Sequence, residues 1–387
     1  MESWKRKLRI GMVGGGKGAF IGAVHRKAAT MDNQAEIVAG AFSRDFQNAK
    51  ATGRDLYLDP ARVYPTYAEM AAAEAKLPAD KRIDFVSVVT PNVSHYDVCA
   101  TFLRAGFHVL CDKPMTYTLT EAKKLTALVQ KSGLVFGVTH NYTGYPLIKH
   151  ARELFLNGSM GKVQKVMVEY LQDFFAVSPE GVVGGINAWR FDPKVAGAAG
   201  TLGDIGTHCF NLVEYVTGDA ITHVAADMHT FAPGRKLDDD SNVLLRLASG
   251  AGGSLMISQC AIGEENGIRI RVFAQKGSII WDQENPNYLQ VYRYGEPRHT
   301  LTRANDHYMS AVSRAYCRVP KGHPEGFISA FANIYWDYMR AVRRALDGKP
   351  LKISEYQFPT VYDGLRGMRF IASSLKSSKT GSKWVKI

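Results

Sequence analysis

The chain has 387 residues, 46% apolar and 22% charged, a globular composition long enough for two ordinary domains; no run approaches the roughly 20 apolar residues of a membrane helix. The formal charge of +12 lies partly at the ends, in Lys5, Arg6 and Lys7 and in Lys376, Lys379, Lys383 and Lys386. With no aromatic-interleaved basic stripe, helix-turn-helix pattern or zinc spacing, it points to solubility and an anionic small molecule, not to nucleic acid. Leu8–Val13 reads as a strand that runs into a glycine-rich turn, and the turn opens a helix reaching His25. Gly14 and Gly16 fall where backbone N–H groups must approach a pyrophosphate. Ala19 and Phe20 fall at the helix start, where unpaired N–H groups and the helix dipole favour an anion. Strands follow at Glu36–Phe42, Ile83–Val89, Phe107–Cys111 and Leu134–Thr139, with helices such as Tyr67–Ala75, Ser94–Ala105 and Leu119–Ser132 between them. Gly106 and Gly133 stand at helix C-caps, and Ser94 can cap its helix. Such alternation predicts a parallel sheet with helices on both faces and a ligand at the carboxyl ends of the strands.

From about Asn141 the pattern changes. A helix, Pro146–Asn157, precedes alternating strands at Lys165–Phe175, Thr222–Phe231, Asn242–Leu247, Gly253–Ala261 and Ile268–Ala274, with hairpin turns near Gly277 and Trp281–Tyr288. Helices are expected at Ile205–Val216, Glu325–Leu346 and Phe358–Leu375. The fold class is therefore α/β: an N-terminal dinucleotide-binding parallel sheet over residues 1–142, then an α+β domain over 143–387 with a large, mostly antiparallel open sheet. The five cysteines, Cys99, Cys111, Cys209, Cys260 and Cys317, are odd in number and without C-x-x-C spacing. They read as buried free thiols of a reducing cytoplasm. No secretory signal is expected, because no apolar region precedes the first strand.

Three successive strands end in polar residues: Thr90-Pro91-Asn92 with His95 beyond, Asp112-Lys113-Pro114, and Thr139-His140-Asn141-Tyr142. Packing explains poorly a lysine fixed between an aspartate and a proline; a surface lysine in a turn is the plainer alternative. Asp204 and His208 are four apart and would share one face of a helix, as proton-handling groups or as a helix cap with a hydrogen-bonded histidine. Asp238-Asp239-Asp240 lacks the glycine and glutamate of a calcium loop and reads as a solvated turn; no metal site is expected. His323, in Gly322–Gly326, sits in a turn before a helix or in a substrate-pocket loop, with Glu325 in the first helical turn.

The glycine turn, Thr90–His95, Cys111–Pro114, Trp189–Arg190 with Gly200–His208, and Ile268–Trp281, in this order, resemble the Gfo/Idh/MocA oxidoreductases across nearly the whole chain. The resemblance implies an NAD(P)-dependent enzyme acting on a secondary alcohol of a sugar, cyclitol or glycoside. By position it implies Lys113 as catalytic lysine, His208 as acid/base and Asp204 as the substrate-orienting carboxylate. Thr90, Pro91, Asn92, His95, Asp112 and Asn141 would line the cofactor, and Tyr142, Trp189 and Arg190 the substrate. The large sheet implies a homo-oligomer, dimer or tetramer. Two departures leave questions open. Five residues separate Gly16 from Gly22, and the second strand ends in Ser43-Arg44-Asp45, where Ser43 and Arg44 suit a 2′-phosphate and Asp45 a ribose, so NAD and NADP both stand. A net glycoside hydrolase that recycles bound NAD is the alternative activity; its extra base would be Tyr142 or His323.

Overall fold

A computed structural model describes residues 5–176 and 188–387. The chain forms two compact units, Met1–His140 with Phe331–Leu365, and Asn141–Ala330 with Arg366–Ile387. In the first unit β1 (Leu8–Gly14), β2 (Ala35–Ala41), β3 (Phe85–Val89), β4 (His108–Cys111) and β5 (Phe136–Val138) form a sheet in the order β2-β1-β3-β4-β5. Every pairing in it is parallel. Helices α1 (Phe20–Thr30), α2 (Phe46–Asp55), α3 (Tyr67–Lys76), α4 (His95–Arg104) and α5 (Leu119–Ser132) connect the strands. All but the last residue of β1 and all of β3 are buried, as a sheet covered on both faces requires. The strand order reverses between β1 and β3, the switch point where such sheets bind ligands.

Local chemistry sets the ends. A capping box of Thr118 and Glu121 starts α5, and Gly133, at φ 66°, ends it. Ser94 does not cap α4: its hydroxyl donates back to the Pro91 carbonyl and to Thr90 Oγ1, both at 2.9 Å. Helix α2 has no clear sequence pattern, since only Ala49, Thr52 and Gly53 of its ten residues are buried.

The second unit holds α6 (Pro146–Leu156), β6 (Val163–Leu171), α7 (Thr207–Thr217), β7 (Ile221–His229), β8 (Asp240–Leu247), β9 (Gly252–Ser258), β10 (Gly267–Ala274), β11 (Gly277–Asp282), β12 (Tyr288–Arg293), β13 (His299–Thr302) and β14 (Val385–Lys386). The nine strands run β13-β12-β11-β10-β6-β9-β8-β7-β14. All neighbours are antiparallel except β6 and β9. Helices α8 (Phe327–Leu346) and α9 (Val361–Lys379) follow late in the chain.

The expected second domain is thus not continuous, because residues 331–365 complete the first unit. On α8, Tyr335 bonds Ser87 of β3 at 2.8 Å and Tyr338 packs edge-on against Phe85 at 5.1 Å. The Val138 N–H donates to the Pro359 carbonyl at 2.8 Å. Two strands also stop short of their expected ends. β6 ends at Leu171 and β9 at Ser258, residues paired with each other in parallel register. Beyond them the backbone instead serves a crossing loop, with Phe175 N–H donating to the Gln259 carbonyl and Asp173 N–H to that of Glu264.

Candidate active site

The site residues expected from the sequence divide between the two units, those from Gly14 to Lys113 in the first and those from Asn141 to His323 in the second. In the first, Gly14 and Gly15 have φ of 82° and 70°. A Cβ on Gly14 would lie 2.4 Å from the Val89 carbonyl oxygen, and one on Gly22 2.4 Å from Gly15 Cα. The turn, the end of β3 and α1 therefore meet as bare backbone, and Gly22 supplies the third close approach despite the long turn. The Gly16 N–H donates to the Phe42 carbonyl and the Ala19 N–H to that of Gly16, both at 3.0 Å; the Lys17 N–H donates to Thr52 Oγ1 at 2.9 Å. Ala19, at the N-cap of α1, contributes no capping side chain, so the first turn of α1 directs its N–H groups outward. Bare backbone and an uncapped helix start fit a pyrophosphate. Phe20 opens the helix with its side chain 73% exposed.

At the end of β2, Asp45 accepts from the Gln47 N–H at 2.9 Å and caps α2. Ser43 Oγ accepts from the Asp45 N–H at 3.1 Å. Arg44 is exposed and makes no side-chain hydrogen bond or ion pair among the described residues. His95 is buried, its ring nitrogens each 2.8 Å from a carbonyl oxygen, of Pro114 and of Thr90. It clamps the loop after β3 to the loop after β4, and burial pushes its pKa down. Asn92 lies buried in the turn between them.

Lys113 follows β4, and the Lys113–Pro114 peptide is cis. Asp112 Oδ1 accepts from the Lys113 N–H at 2.9 Å and from Thr139 Oγ1 at 2.7 Å. Its Oδ2 lies 3.8 Å from Nε2 of His25, a residue with no role in the sequence reading. Burial would raise the Asp112 carboxyl, but His25, the Lys113 charge and Thr139 together hold it well below the usual carboxylate range. His140 moves the other way: burial first, then the Lys113 charge, push it down to about 3, so it stays neutral. Asn141 begins the second unit and is buried.

The second cluster is built on the parallel pair β6 and β9. Gln172 and Gln259 follow their carboxyl ends side by side, Gln259 Nε2 donating to Gln172 Oε1 at 3.2 Å. Gln259 Nε2 also donates to Asp204 Oδ2 at 3.1 Å, and Thr201 Oγ1 donates to Gln259 Oε1 at 2.7 Å. Gln172 Nε2 donates to Asn266 Oδ1 at 2.7 Å, as does the Tyr170 hydroxyl. The Tyr142 and Tyr170 hydroxyls are 2.5 Å apart. Arg190 Nε lies 3.8 Å from Asp204 Oδ2, with its guanidinium 4.6 Å over the Trp189 ring. His208, buried in the first turn of α7, meets Tyr142 edge-on at 4.8 Å. Burial pushes Tyr142 up to about 12 and Tyr170 well above its usual value, so both remain hydroxyls. Asp204 is not in an α-helical first turn. It lies in a π-helical turn, Leu202–Gly206, ahead of α7, a wider turn found often at functional sites.

Three sequence readings need correction. The aspartate run is not a solvated turn. Asp239 is fully buried and accepts from the Phe231 and Ala232 N–H groups, both at 2.8 Å. Asp238 accepts from the Gly200 and Leu202 N–H groups at 2.6 and 2.7 Å, fixing the segment that carries Asp204. No metal-binding group of His, Cys, Asp or Glu occurs among the described residues. Glu325 is not in a helical first turn but is buried before α8, accepting from Arg303 at 3.1 Å and from the Arg318 and Val319 N–H groups. His323 beside it is exposed, its carbonyl taken by Arg303. All five cysteines are free, but Cys260 and Cys317 are only partly buried. No helix among the described residues is long and apolar enough to cross a membrane.

The fold is that of an NAD-binding oxidoreductase. The profile of an oxidoreductase family with an NAD-binding Rossmann fold matches residues 8–140, and that of the GFO/IDH/MocA C-terminal domain matches residues 148–280. The chain belongs to the Gfo/Idh/MocA family. It is 34% identical to the uncharacterized oxidoreductase YfiI of Bacillus subtilis, over 98% of this chain and 97% of the relative. It is 28% identical to levoglucosan dehydrogenase of Pseudarthrobacter phenanthrenivorans, over 74% of this chain and 76% of the relative. The crystal structure of an inositol dehydrogenase homolog from Azotobacter vinelandii, complexed with NAD+, superposes with a TM-score of 0.92 at 32% identity, covering 99% of this chain and 98% of that one.

Proposed function

We propose that the protein is a dehydrogenase acting on a secondary alcohol of a sugar, cyclitol or glycoside. The observation that carries this is the network that starts at Asp204: its carboxylate accepts from the Gln259 amide, and the chain continues through the amides of Gln172 and Asn266 to the hydroxyls of Tyr170 and Tyr142. Such a set of uncharged donors and acceptors suits several hydroxyl groups at once. Similarity to levoglucosan dehydrogenase supports the same class.

A nicotinamide nucleotide, when bound, supplies the two-electron acceptor or donor. The glycine turn and the start of α1 would hold its pyrophosphate, and the Thr90–His95 loop would line it. Lys113 would donate a hydrogen bond to the reacting oxygen and hold its proton; His208 would act as the acid/base partner, and Asp204 would orient the neighbouring hydroxyls. Trp189 and Arg190 would border the substrate beside Asp204. Because Asp45 is held in a helix cap while Arg44 is exposed, Arg44 is the residue that would read a 2′-phosphate if NADP is used.

The recycling hydrolase needs a further base. Tyr142, pushed up to about 12, stays protonated at neutral pH. His323 is exposed, in the turn before α8. Both points favour net oxidation. We also place the protein in the cytoplasm as a homo-dimer or tetramer, its open sheet as the contact surface; alternate residues of β8 are exposed, including Leu244. The test is a panel of sugars, cyclitols and glycosides with NAD+ and NADP+, read at 340 nm (reduced nicotinamide). A selective rise supports the reading; no rise with any member, in protein shown to bind the nucleotide, contradicts it.

A further inference from the structure

At the amino ends of β1, β3 and β4, opposite the glycine turn, the first unit holds a cavity of about 440 Å³, the size of a small-molecule site. Four cations line it, Lys5, Arg6, Arg82 and Arg343, against two carboxylates, Asp84 and Asp347. Asp84 is buried and already answered: Arg6 grips both its oxygens at 2.7 and 2.8 Å, and the Arg9 N–H donates to it at 2.7 Å. Arg343 Nη2 donates to the Arg6 carbonyl at 2.7 Å. Arg82 differs. Its guanidinium stands 5.8 Å over the Phe107 ring and makes no side-chain hydrogen bond or ion pair among the described residues. It belongs to no helix, so a helix dipole does not account for it. The loop that carries it is fixed by the buried Arg9, whose Nε donates to the Arg82 carbonyl at 2.6 Å, Nη2 to that of Ala79 at 2.7 Å and Nη1 to that of Asp80. His108, only 7% exposed, also lines the cavity. Its Nδ1 accepts from the Val135 N–H at 3.0 Å, and burial pushes the ring down to about 4. The ring is therefore neutral with its proton on Nε2, a donor with no hydrogen-bond partner among the described residues.

We propose that this cavity is a second anion site, which binds the phosphate group of a small phosphorylated molecule at the end of the sheet away from the glycine turn. The excess of two positive charges among its lining groups matches a phosphate dianion. Arg82 supplies a planar fork that can hold two oxygens of such an anion, and His108 adds a neutral N–H. Burial and the Arg6 charge push Arg343 down, a crowding of like charge that an anion relieves. A cation fits poorly, since Asp84 is engaged by two arginines and Asp347 is exposed. The rest of the wall includes Ile83, Phe107 and Leu346, apolar surface for the remainder of the ligand. A bare phosphate would leave that part of the cavity unused. The two anion sites share one sheet but no residue, so their ligands bind without competing.

The test titrates inorganic phosphate and phenyl phosphate into NADH-saturated protein by calorimetry at constant ionic strength. Saturating NADH fills the site at the glycine turn, so the heat reports binding elsewhere. We expect one phosphate per chain with a Kd of about 1 mM or tighter, and phenyl phosphate to bind at least as tightly. Arg82→Gln, which removes the charge and keeps the length, should weaken both by about tenfold or more, with NADH affinity unchanged. Should Arg82→Gln not fold, Lys5→Gln takes its place and should weaken both severalfold. No saturable heat at ten times the expected Kd, or wild-type binding in the variant that folds, overturns the proposal. Heat that appears only without NADH places the anion at the glycine turn and overturns it too. Binding of phosphate with exclusion of phenyl phosphate overturns the assignment to a phosphorylated molecule.

Discussion

The contact between Gly22 and Gly15 allows the cofactor site to be tested without knowing the substrate. In Gly22→Ala the new Cβ would stand 2.4 Å from Gly15 Cα and 2.4 Å from its carbonyl oxygen. Carbon atoms in contact sit about 3.5–4.0 Å apart, so α1 and the turn must separate by about 1.1–1.6 Å. Neither neighbour is a flexible side chain, and overpacking of this type costs about 1–3 kcal/mol. The displaced element is the one that would present N–H groups to the pyrophosphate, so the cost should fall on binding. At about 1.4 kcal/mol per decade, NADH affinity should drop about 5- to 150-fold. The assay is titration of reduced-nicotinamide fluorescence, with thermal unfolding in parallel. Gly252→Ala is the control, since a Cβ there meets nothing within 4 Å. NADH binding by Gly22→Ala within twofold of wild type, in a stable protein, would refute the assignment of the turn.

Lys113→Ala should lower turnover by about 10²–10⁴-fold, the contribution of a positioned acid or base, while NADH fluorescence shows near-native affinity. Asp204→Ala and His208→Ala should each reduce kcat/KM, and the double variant should lose clearly less than the product of the two; fully multiplicative losses would mean separate tasks. Arg44→Ala should weaken NADPH far more than NADH, as competitive fluorescence titration would show; equal effects would turn Arg44 away from the 2′-phosphate. Burial lifts Asp238 from 3.8 to about 6, so the folded state holds its proton more tightly than the unfolded chain. Its contribution is full below pH 3.8 and is lost as pH rises through about 6. Urea unfolding across that window should therefore show wild type losing stability, relative to Asp238→Asn, as pH increases.

The strand–turn–helix at Leu8–Thr30 was legible because three constraints coincide there: apolar β-branched residues, glycines and an uncapped helix start. Lys113, Asp204 and His208 were legible as polar residues at expected element ends. What escaped was tertiary. Tyr335 lies 310 residues beyond His25, and no local pattern links them. His25 itself sits on an apolar helix face, where a packed core histidine reads the same. Gln172 and Gln259 left a usable trace: Val166, Val168 and Tyr170, and likewise Leu255 and Ile257, mark the buried phase of their strands, and each glutamine continues it. A glutamine in that phase must find buried partners, and this marks the polar network beyond the shortened strands. The aspartate run misled because consecutive charges usually face water, whereas here backbone N–H groups recruit two of the three carboxylates.

Net oxidation of an alcohol separates the proposed dehydrogenase from a hydrolase that recycles its cofactor. The measurement that tests it most directly is incubation with neutral and anionic aryl glycosides at trace NAD+, following released aglycone and absorbance at 340 nm together. A dehydrogenase should reduce at most one cofactor for each substrate oxidised and release no aglycone beyond that amount. Aglycone release far exceeding the cofactor supplied, with no lasting rise at 340 nm, would rule out a dehydrogenase and identify a hydrolase that recycles its nucleotide.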